Sequence, residues 1–315
     1  MADFHKLIEL GDVVTPANIL RQMTRQHDET SDASRRTIFG QALAKLRGDA
    51  GTADRLVSLL QGSNERDSEA AGKLLAMFDA EAVLVKVLHV IRDHEDMRIR
   101  KRLLSFVGRF GETARDQILA ELSPVSPWYY NRNLLNLLAD IADDSMVPRI
   151  TAHLEAKDER ERRAAFAALA RISGDGAQEA LAESFDRQPE SIRKSFIQHF
   201  GKTRARSAVP KLLDHLKSLA ITDQTESYAV SIIHALGQIG DAAGAAAIRE
   251  LLHKGSGLRR FFAKPSDAVI EASIVALGQI GDAAAAGSIK GFTRHANPQI
   301  ARAAQESMRA LGRTA

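Results

Sequence analysis

The octapeptide LGQIGDAA occurs twice, at Leu236–Ala243 and again at Leu277–Ala284. The match continues on both sides. Ala229 stands against Ile270, Ile233 against Ile274, Ile248 against Ile289 and Leu251 against Phe292. An identity of this length with matched apolar flanks marks an internal repeat, and a repeat constrains the fold before any local propensity does.

The second Gly of LGQIGD serves as a marker. The same place in an apolar-x-x-apolar-small pattern falls on Arg47, Asp79, Gly111, Ala142, Ser173, Gly201, Gly240, Gly281 and Gly312. Successive separations are 32, 32, 31, 31, 28, 39, 41 and 31 residues. A near-constant period of this size describes stacked units, each too small to bury its own apolar face. Insertions near Leu219–Ser227 and Gly255–Pro265 account for the two long intervals.

Each unit reads as two helices. Ala229, Ile232, Ile233, Leu236 and Ile239 follow helical spacing before one marker, and Ile270, Ile274, Leu277 and Ile280 before the next. A small residue at the marker suits a left-handed C-terminal cap. Asp143, Asp241 and Asp282 follow it as N-caps of the second helix. Pro148 and Pro210 fall in the first turn of that helix, where a missing N–H costs nothing. β-branched alternation is absent.

The two LGQIGD segments, LLADIADDSMVPRI (Leu137–Ile150) and AALARISGDGAQEAL (Ala167–Leu181) resemble the HEAT-repeat family, in the bacterial form called phycobilisome-lyase-type HEAT-like repeats. The likeness covers roughly residues 95–312 and fades where Arg47 and Asp79 replace the small marker. It implies an all-α, right-handed α-solenoid of about nine helical hairpins. Residues 1–30 are expected to form an N-terminal helical capping segment, and residues 31–315 the solenoid, with an inserted loop at 255–265. It implies a bacterial origin but no single activity, because such solenoids serve as scaffolds, lyases, hydroxylases and DNA-binding proteins.

Composition bounds the function only loosely. No stretch is apolar for long enough to span a membrane, and the N-terminal MADFHKLIEL lacks a signal-peptide core. With no cysteine, neither a disulfide framework nor a thiolate metal site can form. The expectation is a cytoplasmic chain. The net charge of +3 hides an asymmetry: Leu251–Ala315 holds nine Lys or Arg against four Asp or Glu. That surplus suits an acidic partner, or simply a solvated terminal unit.

Catalytic signatures are sparse. None of the ten histidines forms a His-x-x-x-His pair. Family iron hydroxylases carry several His-Glu dipeptides; this chain carries one, His94–Glu95, which disfavours that class. Neither a phosphate loop in the right context nor a nucleophile elbow is present. The expectation is therefore a chain that is not an enzyme, with no cofactor and no metal. A recurring basic position holds Arg100 and Lys101, Arg132, Arg162 and Arg163, and Arg302. It reads as an Arg–Asp ladder between units, with Asp143, Asp241 or Asp282 as acceptors, in preference to a cationic stripe for nucleic acid.

Two places break the repeat. Ser123–Asn133, SPVSPWYYNRN, holds the only Trp, Trp128, with Tyr129, Tyr130 and Arg132. Trp, Tyr and Arg are enriched at binding hot spots. Packing of the inter-repeat turn accounts for them equally well, and Tyr130 aligns with Tyr228. Lys254–Asp267 carries Lys254, Arg259, Arg260 and Lys264 with no acid, and the adjacent Phe261 and Phe262. This insertion reads as a partner contact, with a lid packed on the solenoid as the structural alternative. The candidate partner-binding residues are thus Arg259, Arg260, Phe261, Phe262, Lys264, Trp128, Tyr129 and Arg132.

The functional expectation is a non-catalytic scaffold or adaptor that holds an unidentified protein partner, an acidic one being favoured by the cationic loop. The alternative is nucleic-acid binding, as in HEAT-like DNA glycosylases. Arg149, Lys211, Lys217, Arg249 and Arg294 would serve it, but Glu121, Asp214 and Glu250 dilute them. A chromophore-lyase reading rests on repeat type alone.

Overall fold

The computed structural model describes residues 2–62, 64–252 and 265–314. Every regular element among them is helical. The chain opens with α1 (Ala2–Glu9) and α2 (Val14–Glu29). Pairs follow in sequence: α3 (Ala33–Arg47) and α4 (Ala50–Leu60), α5 (Glu65–Leu75) and α6 (Ala80–Asp93), α7 (Met97–Gly108) and α8 (Arg115–Glu121). Next come α9 (Trp128–Leu138) and α10 (Val147–Thr151), α11 (Glu159–Leu169) and α12 (Asp175–Ser184), α13 (Glu190–Thr203) and α14 (Val209–Ser218). The last are α15 (Glu226–Ile239) and α16 (Ala242–Leu252), α17 (Asp267–Ile280) and α18 (Ala286–Lys290), with α19 (Pro298–Thr314) closing the chain. The fold is thus an all-α array of HEAT-like helical pairs. It divides into two compact units. One comprises Met1–Ala142 and Asp158–Ala164, the other Asp143–Lys157 and Ala165–Ala315.

The repeat's apolar positions are its core. Ala229, Ile232, Ile233, Leu236 and Ile239 are buried on α15, and Ile270, Ile274 and Leu277 on α17. Gly240 and Gly281 end these helices in the left-handed conformation, at φ 75° and 80°. The N–H of each caps its helix by bonding to the carbonyl of Leu236 or Leu277. Asp143, Asp241 and Asp282 then accept from the N–H of Ser145, Ala243 and Ala284. Pro148 and Pro210 occupy the first turns of α10 and α14.

The marker at Gly201 needs correcting by three residues. Gly201 lies inside α13, and the left-handed cap is Arg204 at φ 55°. Phe200–Arg204, FGKTR, therefore answers to LGQIG, and the separations of 28 and 39 become 31 and 36. Gly312 likewise lies inside α19. Gly201 corresponds instead to the first Gly of LGQIG, whose role is close packing. A Cβ at Gly201 would stand 3.1 Å from Ala235 Cα. At Gly237 it would stand 2.7 Å from Ala276 Cα, and at Gly278 3.0 Å from Ser307 Cα. The helices α13, α15, α17 and α19 pack successively through these contacts, where a side chain would force the neighbouring helix to shift.

Of the recurring arginines, Arg100 bonds within its own turn, and Arg163 and Arg302 each reach an acid on their own helix. Arg100 donates to the carbonyls of His94 and Glu95, at 2.6 and 3.1 Å. Arg36 does the same to Thr30 and Arg193 to Gln188. Each anchors an inter-repeat turn by satisfying a carbonyl left open where a helix ends. Arg163 pairs with Glu159 and Arg302 with Glu306, each one turn along its own helix. Ion pairs between successive repeats instead involve the second helices and the turns beside them: Asp54 with Lys86, His89 with Glu121 at 3.0 Å, Glu155 with Arg187 at 2.6 Å, and Arg249 with Asp282 at 3.1 Å.

Candidate functional site

The break at Ser123–Asn133 is built around Asn131, which is fully buried on α9. Its side-chain NH₂ donates to the carbonyl of Ser123 at 2.8 Å and to Glu161 Oε1 at 3.0 Å. Glu161, on the first turn of α11, is itself buried. The amide thus ties the proline-rich turn before α9 to the start of α11. Burying these polar groups is tolerable because they satisfy one another.

This anchor positions the aromatic pair. Trp128 and Tyr129 are half-buried at the start of α9 and meet edge to face, 6.0 Å between centroids. The Arg160 guanidinium lies 3.5 Å from the Trp128 ring centroid, and that of Arg132 lies 5.4 Å away. Asp158 holds Arg160 in place through two hydrogen bonds, at 2.9 and 3.1 Å. Tyr129 donates its hydroxyl to the Arg92 carbonyl at 2.9 Å, with the Arg100 guanidinium 5.1 Å from its ring centroid. Cations over aromatic faces are favourable by about 0.5–2 kcal/mol each. The result is one surface drawn from three segments, 94–100, 123–132 and 158–160. On two of them large apolar side chains stand free: Met97 is 72% exposed and Val125 94%.

Of the residues singled out from sequence, the structure brings Trp128, Tyr129 and Arg132 together. Arg259, Arg260, Phe261, Phe262 and Lys264 lie outside the described residues, as does the rest of the inserted loop through residue 264. Sequence reasoning singled out neither Arg160 nor Glu161. The signal was available: DERER at Asp158–Arg162 has the period of the neighbouring turns.

Beneath this surface Tyr130 is fully buried, its hydroxyl 3.1 Å from Glu121 Oε2. Burial first, then the Glu121 carboxylate, pushes the phenol well above its ordinary range. Tyr228 repeats the arrangement, buried with its hydroxyl 3.1 Å from His215 Nδ1. The other ring nitrogen of His215 lies 3.0 Å from Asp186, which also binds Lys211 at 2.5 Å. Burial works to raise the Asp186 carboxyl, but its bonds to Lys211 and His215 outweigh this and hold it below the usual range.

Two histidines serve their own turns. His94 accepts the Asp96 N–H at 3.0 Å, and His295 accepts that of Asn297 at 3.1 Å. An open cleft of about 830 Å³ beside α5 and α7 is lined by Arg98, Lys101 and Arg109 but also by Glu65, Glu69 and Asp96. Arg102 fills its floor, donating to the carbonyls of Leu60 and Gly62 and to the Ser68 hydroxyl. Among the described residues, no group of three or more His, Asp or Glu is placed to hold a metal ion. No helix among them is long and apolar enough to cross a membrane.

No family model matches this chain, and no curated protein matches it. Solved structures do. The structure of human deoxyhypusine hydroxylase in complex with glycerol is 21% identical, with a TM-score of 0.36, over 83% of this chain and 84% of that one. The complex of CpcE and CpcF of phycocyanin lyase from Nostoc sp. PCC7120 is 18% identical, with a TM-score of 0.36, over 73% of this chain and 93% of that one. Both are enzymes by name, and the expectation that this chain is not an enzyme is withdrawn on that account. At these values the likeness concerns the helical fold alone and gives this chain neither activity.

Proposed function

We propose that this chain binds a protein partner, and that the surface at Trp128, Tyr129 and Arg132 is one of its contacts. The observation that carries the reading is the rigid aromatic pair itself. It is clamped by Arg100, Arg132 and Arg160 and flanked by exposed Met97 and Val125. Aromatic rings already fixed in place lose little entropy on binding, and Trp, Tyr and Arg are the residues that dominate interface energies. The segment with Arg259, Arg260, Phe261, Phe262 and Lys264 is proposed as a second contact, its uninterrupted positive charge favouring an acidic partner. A cytoplasmic setting belongs to the same proposal.

Nucleic acid is the less favoured ligand. Lys211 and Arg249, two of the cations that would serve it, are paired with Asp186 and Asp282. Titration with double-stranded DNA should show nothing tighter than non-specific attraction, about 10⁻⁴–10⁻⁶ M at physiological salt.

The test uses substitutions that leave the core intact. Val125→Asp and Met97→Asp should keep the melting temperature and release a partner that the parent chain retains in quantitative affinity capture. Phe261→Ser with Phe262→Ser tests the second segment alone. Full retention by all of these variants sinks the reading.

A further inference from the structure

The hairpin of α2 and α3 is built unlike the rest of the chain. Pro16, Ala17 and Leu20 are the buried residues of α2, and Leu43 and Leu46 those of α3. Between them, from Arg21 to Ala42, no residue is buried. The next longest such runs among the described residues, 92–102 and 217–227, are half that length. α2 and α3 pack chiefly on each other, and it is α2 that also reaches α5 and α1.

This arm is nonetheless well ordered against itself. Asp32 caps α3 by accepting from the N–H of Ser34 and Arg35. Arg36 closes the turn on the Thr30 carbonyl at 2.8 Å, and Arg47 reaches across to the Thr24 hydroxyl at 2.6 Å. Gly40 faces α2 at ordinary contact distance, a Cβ there standing 3.5 Å from the His27 ring. Two helices cannot enclose a core, however. Met23, His27, Phe39 and Ala42 stay half-buried, and Ile38 is 65% exposed. A hairpin of this kind completes itself as half of a four-helix bundle.

Its charges say which other half fits. The turn at the tip, Asp28–Asp32 (DETSD), holds three acids, with Arg35 and Arg36 following on the first turn of α3. The base of the arm holds Arg21 and Arg25 on α2, and Lys45 and Arg47 on α3, with no acid on Val14–His27 or Thr37–Gly48. A twofold axis across the arm sets each tip against the other's base, so one surface complements itself. The nine residues from Arg21 to Glu29 span about 13 Å of helix, which puts tip and base two turns apart. The intrachain pairs Arg25–Glu29 and Arg35–Asp32 are exposed on both sides. Exposed pairs of this sort are worth little and exchange readily.

We infer that the arm is a self-association element: the α2–α3 hairpins of two copies pack antiparallel into a four-helix bundle, acidic tip against basic base. The inference is independent of the partner surface at Trp128. An arm of this length makes a small interface, so the dimer should form in the micromolar range.

The experiment is sedimentation equilibrium of the full chain up to about 200 µM, with charge-swapped variants. The parent should approach twice the monomer mass. Asp28→Lys with Glu29→Lys, and separately Arg21→Glu with Arg25→Glu, should each weaken association by about a hundredfold, since like charges then face one another. All four positions are exposed and none is the α3 cap, so circular dichroism and melting should match the parent. Mixing the two variants should restore the dimer, because tip and base are again opposite in sign. A parent that stays monomeric across the range overturns the proposal. So does a dimer that neither variant weakens, or a mixture that fails to recover it.

Discussion

α15 and α3 are nearly equal in length and differ in almost everything else. α15 buries eight of its 14 residues and meets α17 through a glycine, whereas α3 buries two of its 15. The difference is one of constraint. Where the repeat is strictly kept, each apolar residue touches a neighbouring helix and each small residue sets a spacing. Where the repeat fades, the chain still forms helix, but local bonds and caps hold it rather than packing. Helical propensity and repeat packing are thus separable in this molecule.

That contrast can be broken from either side. The largest effect is expected in the kept repeats. Leu236→Ala or Leu277→Ala, at positions 1% and 0% exposed, should destabilise by about 2–5 kcal/mol in chemical denaturation. If both melt like the parent, the register drawn between the repeats is wrong. Gly237→Ala should cost about 1–3 kcal/mol by overpacking, because its new methyl meets the Ala276 backbone. A neutral outcome would mean that α15 and α17 separate without penalty.

Between the extremes stands the turn before α9. Asn131→Ala should cost about 1–3 kcal/mol, since buried Glu161 and the Ser123 carbonyl each lose one hydrogen bond. The same loss should loosen the Trp128 surface, visible as a red shift of its fluorescence. A smaller and pH-dependent effect belongs to His199 on α13. Burial, then the nearby Lys202, depress its pKa below the ordinary value of 6.5. A histidine held neutral in the fold contributes stability fully above the unfolded value and loses it as pH falls. The melting temperature should therefore drop from pH 7.5 toward pH 5, and His199→Gln should flatten that part of the profile. The smallest effect is expected in the arm. Ile38→Arg, measured at low micromolar concentration, should stay within about 0.5 kcal/mol of the parent. A large loss there would mean that the arm has intrachain packing after all, erasing the contrast with α15.

The legibility of the fold follows the same divide. LGQIGDAA gave away its helices, caps and core because a packed repeat leaves the same residues in the same places. Gly201 misled by three positions because two different roles, close packing and left-handed capping, both call for glycine. Only the backbone shows that Arg204 has taken the second role. Arg100 was visible, but its acceptors are the main-chain carbonyls of His94 and Glu95, which carry no letter in a sequence. Trp128 stood out by rarity. Its clamp by Arg160 did not, because that pairing joins turns some 30 residues apart. The arm was invisible as such. A helix without a partner and a helix with one differ in what surrounds them.

The ties between repeats also bear on how the chain reaches its structure. Asp54 to Lys86, His89 to Glu121 and Glu155 to Arg187 each close a loop of the same size, 32 residues. Entropy of closure grows only slowly with loop length, and here it is charged in equal small instalments. No single long-range encounter need precede the others. Low contact order of this kind goes with fast folding that starts at any well-formed pair and spreads to its neighbours. The pair α15–α17, with the tightest approach, is then the natural place for growth to begin.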